Sequence, residues 1–232
     1  MAFRDPRPTV DPDERYKYVA WCMMRGFYVF ISADGIHWRR NETLALPFDP
    51  DGGIDILWDD QWGVYRGYLR ASLPPNSFRA VVSAEVPEIL KPWPFKPSPA
   101  PVPSQWTMPK PVSGELPRID TGGEVYRFRA SKYPWAPDAY VAFPWRYVRD
   151  TNVRPGSFLM TSRDGTTWRR YEPPYYFKPG DRIDGHIVQE ALMEPGMIRR
   201  GDELWQYGTA RCTVVCSFES RLLHLSHWAC VK

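Results

Sequence analysis

Four acidic residues lie beside short apolar segments that are typical of β-strands: Asp5, Asp55, Glu124 and Glu194. Hydrolysis of a glycosidic bond uses two carboxyl groups, one that protonates the leaving oxygen and one that attacks or activates water. The apolar neighbours of Glu194 would favour the neutral carboxyl of a general acid. Asp5 follows an arginine, which would keep it ionised as a stabiliser, and Asp55 is the candidate base. Glu124 follows two glycines, which let the backbone approach a ligand, and is a candidate substrate contact. The alternatives are a hydrogen bond to the backbone at a strand entrance for Glu194, an Asp-Pro turn for Asp5 and a strand cap for Asp55.

Further side chains suit sugar binding. Arg66 and Arg127 lie in strand-like segments, where they would bind a sugar or, alternatively, form salt bridges between neighbouring repeats of the fold. His186 comes shortly before the strand that leads to the last of the four carboxylates. Trp145, in a proline-rich segment, is predicted to stack on a sugar face, with loop packing as the alternative.

A sequence motif that occurs twice indicates which structural element would position these residues. The pattern Ser-x-Asp-Gly-x-x-Trp-Arg-Arg occurs at residues 32–40 and again at 162–170. Asp-Gly favours a tight turn in which glycine takes a positive φ, and the tryptophan begins the next strand by packing back over the hairpin. A degenerate middle copy is predicted in which Ser83–Glu85 and Trp93 replace the turn.

The segments around these turns predict short antiparallel strands. Proline is 25 of 232 residues, well above the usual ~5%, which disfavours long helices. Strands are predicted at about 16–21, 27–31, 64–70, 79–83, 139–143, 157–162 and 203–208. First strands of successive units are predicted near 3–6, 54–55, 119–126 and 192–195, with an irregular insertion at 92–117. Four antiparallel strands per repeat indicate an all-β fold of the β-propeller type.

Composition excludes several functions. Basic and acidic residues nearly cancel, at 30 and 27, so the chain has no electrostatic footprint for nucleic acid. No apolar segment reaches the roughly 18 residues that span a membrane. The amino terminus has no signal-peptide pattern, and the sequence does not indicate a compartment. No cofactor is predicted.

The carboxyl-terminal residues differ from the rest. The strand pattern is expected to stop at Ala210, so residues 1–210 form the predicted propeller domain and 211–232 an atypical, truncated or misread tail. Cys212, Cys216 and Cys230, with His224 and His227 nearby, match no zinc-site spacing, so no metal site is predicted.

The chain resembles the five-bladed propellers of glycoside hydrolase families 32 and 43. The resemblance rests on Phe-Arg-Asp-Pro at 3–6, on the two Ser-x-Asp-Gly turns, and on Met-Glu-Pro-Gly-Met-Ile at 193–198. It implies a carbohydrate substrate, a stabilising role for Asp5 and a general-acid role for Glu194. The family 32 nucleophile segment, Asn-Asp-Pro-Asn, has no match in this sequence.

This resemblance also implies an incomplete ring. The repeats supply about three blades and the start of a fourth, so we expect an open ring, low activity of the chain alone, and self-association through open sheet edges. The alternative is a propeller that binds carbohydrate without cleaving it. A six-bladed sialidase type is disfavoured because its turn motif is one residue longer.

Overall fold

The computed structural model describes residues 2–22, 26–48, 50, 53–73, 78–96, 110–171, 178–183, 185–212 and 220–225. Within these ranges the chain is all-β, and its helical content is one three-residue 3-10 turn, Pro12–Glu14. None of the described helical residues forms a helix long enough to cross a membrane. The chain divides into two compact units, which meet in sequence between Ile119 and Asp120.

The first unit contains two four-stranded antiparallel sheets whose strands follow one another in chain order. The first sheet is β1 (Ala2–Arg4), β2 (Tyr16–Cys22), β3 (Gly26–Ser32) and β4 (Arg39–Leu46). The second is β5 (Ile54–Asp59), β6 (Val64–Leu73), β7 (Phe78–Val86) and β8 (Arg118–Ile119). Meanders of this kind are the building units of propellers.

One core joins the two sheets of the first unit. Alternate side chains of a strand point to one face, so Phe27, Val29 and Ile31 all enter the core from β3. Leu69 of β6 and Val82 of β7 meet them from the second sheet. Burial of these apolar side chains holds the sheets together face to face.

Trp93 fills the same core from outside the strands. It is 2% exposed, and an added Cβ at Gly67 would lie 2.6 Å from its ring. Gly67 is therefore required by space, not by backbone angle. The sequence prediction for this region was wrong: Ser83–Glu85 forms no turn but lies inside β7, where Ser83 pairs with Tyr68.

The second unit has a third four-stranded meander and two further sheets. The meander is β10 (Ala130–Lys132), β11 (Tyr140–Ala142), β13 (Met160–Ser162) and β14 (Trp168–Arg170). Strands β9 (Val125–Arg127) and β12 (Trp145–Arg146) pair with each other. The last sheet contains β15 (Arg182–Ile183), β16 (His186–Met193), β17 (Ile198–Arg200), β18 (Glu203–Cys212) and β19 (Ser220–Leu225).

The repeated motif forms the same turn in both units. Ser162 Oγ accepts from the Gly165 amide at 2.9 Å, and Asp164 Oδ1 accepts from the two amides that follow at 2.8 and 2.7 Å. The corresponding distances at residues 32–37 are 2.9, 2.8 and 2.8 Å. Both glycines have positive φ, 78° at Gly35 and 74° at Gly165. The predicted turn is confirmed.

The two motif tryptophans also occupy equivalent places. Trp38 packs edge-on against Tyr18 of β2, with ring centroids 6.0 Å apart. Trp168 packs edge-on against Tyr140 of β11 at 6.4 Å. In each case the partner is a tyrosine on the second strand of the same sheet, so the two tryptophans occupy equivalent positions, as the repeat predicts.

Other strand predictions need correction. Residues 118–119 do not open the third meander but close the second sheet as β8, because Ile119 pairs with Val81. The strand pattern does not stop at Ala210, since β18 runs to Cys212 and β19 pairs with it. Cys216, His227 and Cys230 lie outside the described residues, as does 97–109 of the predicted insertion. The number of blades and the openness of a ring stay predictions.

The turn geometry predicts a selective loss of stability. In Asp164→Ala, two backbone amides lose a charged acceptor, and we expect a cost of about 2 kcal/mol in the free energy of unfolding. Asp202→Ala, at an exposed turn position of the same unit, is the matched control and should change it by less than about 0.5 kcal/mol. Urea unfolding measures both; equal effects would contradict the assigned role of Asp164.

Candidate functional site

Asp5 lies at the end of β1 in a cluster of donors. Phe3 pairs with Lys17 across β1 and β2, which brings the Lys17 ammonium to 2.8 Å from Asp5 Oδ2. The Arg7 guanidinium donates to the same carboxylate at 3.1 Å, and the Tyr65 hydroxyl, from β6, donates to it as well. The side chains of Asp5 and Lys17 are both fully buried.

This environment fixes the charge of Asp5. Burial would raise its pKa, but the hydrogen bonds from Arg7, Lys17 and Tyr65 outweigh burial and lower the pKa to about 2. Burial, and then the hydrogen bond to Asp5, raise the pKa of Tyr65. Asp5 is therefore an ionised carboxylate, as expected for an electrostatic stabiliser. Its side chain has no exposed surface, however, and its oxygens are occupied by protein donors.

The other predicted residues of the first unit are also buried. Asp55 is 2% exposed and pairs with Tyr68 across β5 and β6. Arg66 is 2% exposed and contacts Asp59 at 2.9 Å and Glu85 at 2.6 Å. These bridges tie β5, β6 and β7 together within one sheet, whereas the alternative that the sequence left open for Arg66 was a salt bridge between blades.

In the second unit, Glu194 lies directly after β16. Its amide donates to the Tyr207 carbonyl at 2.9 Å, and Gln206 Nε2 donates to the Glu194 carbonyl at 2.8 Å. Its carboxylate is 32% exposed and forms an ion pair with the Arg129 guanidinium. The expected apolar surroundings are thus replaced by a cation, because Arg129, 65 positions earlier, reaches it only in the folded unit.

Arg129 has an unusual backbone. Its φ is 58°, one of two positive values among the described non-glycine residues, the other being Asn152. Such a conformation costs an arginine about 1–3 kcal/mol and persists where the surrounding structure enforces it. Arg129 is 8% exposed, and its guanidinium lies 5.0 Å from the centre of the Trp145 ring.

Trp145 organises this site. Its indole Nε1 donates to the Met193 carbonyl at 2.8 Å, next to Glu194. Arg127 lies 5.3 Å from the ring centre, and Tyr126 is parallel to the ring at 6.4 Å. With 8% of its surface exposed, Trp145 is covered by these neighbours and holds the arginines and β16 in place.

Glu124 and His186 lie at other points of this unit. Glu124 is bound by the Arg149 guanidinium, which donates from Nε to Oε2 at 3.1 Å and from Nη2 to Oε1. His186 is the first residue of β16, pairs with Ile183 and is half-buried. Neither makes a described contact with Glu194.

Glu190 is a charged residue of β16 that the sequence reasoning missed. It is 6% exposed, accepts from the Arg154 amide at 3.0 Å and contacts the Arg154 guanidinium at 3.4 Å. No local pattern in the sequence singled out Glu190, because its partner Arg154 lies 36 positions earlier in the chain.

The second unit therefore brings together Glu194, one-third exposed and paired with Arg129, and Trp145, whose ring contacts both Arg129 and Arg127. This arrangement suits hydrogen bonding to a polar ligand. Convergence of all four predicted carboxylates on one cavity stays a prediction. The described residues contain no group of histidine, cysteine and carboxylate side chains able to hold a metal ion.

Comparisons with known proteins give similarity only to solved structures. No family model and no curated protein matches the chain. One similar structure is a glycoside hydrolase, with 12% identity, a TM-score of 0.45 and coverage of 86% of this chain. This chain spans 60% of that protein's length.

Two further structures belong to the same broad class of enzymes. One represents glycoside hydrolase family 130, described as mannoside phosphorylases and hydrolases of β-1,2-mannosidic linkages in Candida mannan, at 14% identity and TM-score 0.40, covering 84% of this chain and 55% of that one. The other is a family 43 β-1,3-galactosidase, at 10% identity and TM-score 0.34, covering 90% and 89%.

The Asp5 cluster predicts a severe single-variant effect. Asp5→Ala leaves the buried Lys17 ammonium without its carboxylate, at an expected cost of about 3–5 kcal/mol. The double variant Asp5→Leu/Lys17→Met removes both charges and should be more stable than Asp5→Ala. Glu42→Gln is the control, because it breaks an exposed ion pair with Arg40, worth less than about 1 kcal/mol. Chemical denaturation checks all three, and an equal effect of Asp5→Ala and Glu42→Gln would contradict the burial argument.

The same cluster predicts a dependence of stability on pH. The pKa of Asp5 is about 2 in the folded chain and 3.8 in the reference state. Its contribution is present above about pH 4 and is lost as the pH falls towards 2, because the unfolded chain then binds the proton more tightly. The difference corresponds to about 2 kcal/mol. Unfolding measured from pH 5 to pH 2 should show a shallower loss in Asp5→Leu/Lys17→Met than in the wild type, and parallel curves would contradict this.

Proposed function

We propose that this chain is part of a glycoside-hydrolase-like β-propeller and that Glu194 is its sugar-facing carboxylate. The observation that carries the proposal is the ion pair of Glu194 and Arg129 beside Trp145. Glu194 is the only one of the four predicted carboxylates that is both held by a cation and 32% exposed. Asp5 and Asp55 are at most 3% exposed, and the Glu124 side chain is 13% exposed.

The surroundings of Glu194 support a positioned carboxylate. Backbone hydrogen bonds fix the residue on both sides, and the strained Arg129 backbone aims a guanidinium at its carboxylate. Rigid support of this kind is what a binding or catalytic group needs. The guanidinium favours the ionised form of Glu194. A general-acid role therefore requires that a bound substrate displace Arg129 from the carboxylate.

Hydrolysis also requires a second carboxyl group. Glu190 does not serve, because four residues along a strand span about 13 Å, whereas the two groups of a glycosidase lie about 5–9.5 Å apart. We propose Asp55 as the base and Glu124, Arg127 and His186 as substrate contacts, with Asp5 as a stabiliser that acts through its charge from inside the protein.

A carbohydrate-binding propeller without catalysis is the second candidate. The observations that favour it are the full enclosure of Asp5 by protein donors and the neutralisation of Glu194 by Arg129. Both leave charged groups that hydrogen-bond well and transfer protons poorly. An open ring would also favour binding without catalysis. A catalytic site whose residues come from several blades needs all of those blades.

Substitution of Glu194 separates the two candidates. The wild type, Glu194→Gln and Arg129→Lys are compared for hydrolysis of a panel of neutral oligosaccharides, with Asp202→Asn as an exposed control in the same unit. The leaving group of such a substrate is a sugar hydroxyl, which departs only when it receives a proton. If Glu194 acts as the acid, Glu194→Gln lowers kcat at least about 100-fold, because the proton donor is lost.

The binding function predicts a different pattern. In that case no glycoside is hydrolysed by any form, while calorimetry shows that Glu194→Gln weakens binding of an oligosaccharide by about tenfold, the effect of one charged hydrogen bond. Unchanged activity and unchanged binding in both Glu194→Gln and Arg129→Lys would remove Glu194 from the site.

A further inference from the structure

A second cleft lies in the second unit, on the meander β10–β11–β13–β14. Its volume is about 600 Å³, within the range of sites that hold small molecules. Tyr133 follows β10, Thr161 lies on β13, and Arg169 and Tyr171 line the cleft from β14 and the residue after it. None of these residues contributes to the Glu194 cluster described above.

Four of the twelve residues that line the cleft are aromatic. Tyr133 and Trp168 are half-buried, whereas Tyr171 exposes 37% of its surface. Beside the cleft, Trp135 packs edge-on against Tyr133 at 5.3 Å and exposes 40% of its surface. Aromatic rings at a concave surface are suited to contact with the apolar face of a ligand.

Hydrogen-bond donors and acceptors also line the cleft. Thr161 Oγ1 lies 3.3 Å from Tyr171 Oη, which holds the tyrosine side chain. The Arg169 guanidinium lies over the Tyr171 ring, 5.1 Å from its centre, and no described carboxylate forms an ion pair with it. Asp164 adds a carboxylate whose pKa is held below its usual range: burial would raise it, but hydrogen bonds from the Thr167 and Thr166 amides outweigh that effect.

We propose that this cleft is a second carbohydrate site, which binds a pyranose ring of a neutral oligosaccharide. The axial face of a pyranose is a patch of C–H groups that packs on an aromatic ring such as Tyr171 or Tyr133. Its hydroxyl groups both donate and accept, which matches Asp164 and Thr161 as acceptors and Arg169 as the donor. A ligand that is purely apolar would desolvate the Arg169 guanidinium without offering it a hydrogen-bond acceptor.

The site is independent of the proposed catalytic or binding role of Glu194. The test uses the full chain and three neutral hexasaccharides, of mannose, xylose and galactose, with a galacturonic acid hexasaccharide as the charged probe. Binding is followed by tryptophan fluorescence, because Trp168 lines the cleft and Trp135 lies beside it, and by calorimetry. We expect at least one neutral probe to bind the wild type.

Variants then locate the binding. Tyr171→Ala should weaken it by about tenfold, the usual size of one lost aromatic contact, and Arg169→Ala should weaken it too. Tyr171→Phe keeps the ring and should retain binding, which separates loss of stacking from loss of folding. Trp62→Ala is the matched control, since Trp62 is 57% exposed in the first unit. Glu194→Gln should leave this binding unchanged.

Four results would overturn the proposal. Three are binding of no neutral probe, binding of the galacturonic acid probe alone, and neutral binding that Tyr171→Ala leaves intact. The fourth is loss of binding in Glu194→Gln, which would assign the sugar to the other site. The two proposals can fail separately. If Glu194 proves to have no role while the cleft still binds a neutral probe, the proposal for the cleft holds.

Discussion

The buried carboxylates of Asp5 and Asp59 are each paired with a cation, and the fold depends on these pairs staying together. Asp5 and Lys17 have no exposed side-chain surface, and Asp59 and Arg66 are almost as enclosed. A buried charge without a partner costs several kcal/mol, whereas a well-bonded pair costs little. The strands that carry these residues must therefore keep their register, because a shift of one residue would reverse the faces and separate the partners.

Pairing with cations leaves Asp5 and Glu194 able to do different chemistry. The Asp5 cluster links β1 and β2 to Tyr65 of the neighbouring sheet and leaves no oxygen for a ligand. At Glu194 the compensation comes from one side only, since Arg129 covers part of a carboxylate that is still one-third exposed. The first arrangement is suited to stabilising the fold, and the second to receiving a polar ligand that competes with the guanidinium.

The two proposed sugar sites would bind through different interactions. Around Glu194 the aromatic ring of Trp145 is covered and supports two arginines, so recognition would come from charged hydrogen bonds. In the cleft on the meander β10–β11–β13–β14 the Tyr171 ring is exposed, and Arg169 lies on that ring instead of on a carboxylate. A glycan bound in this cleft would be held by its apolar face, with weaker dependence on salt than at a charge-dominated site.

The sequence predicted the turns correctly because the residues that form their hydrogen bonds are close together in the chain. Ser162, Asp164 and Gly165 determine their turn within a few residues, so the motif predicted both copies and the strands that flank them. The residues near Glu194 predicted an apolar environment, and the fold supplied Arg129 instead, from 65 positions earlier and with a backbone angle that no propensity indicates. Tyr65 reaches Asp5 over 60 positions in the same way. Contacts of this kind depend on which strands become neighbours, and the packing of apolar side chains between sheets decides that only when the whole unit folds.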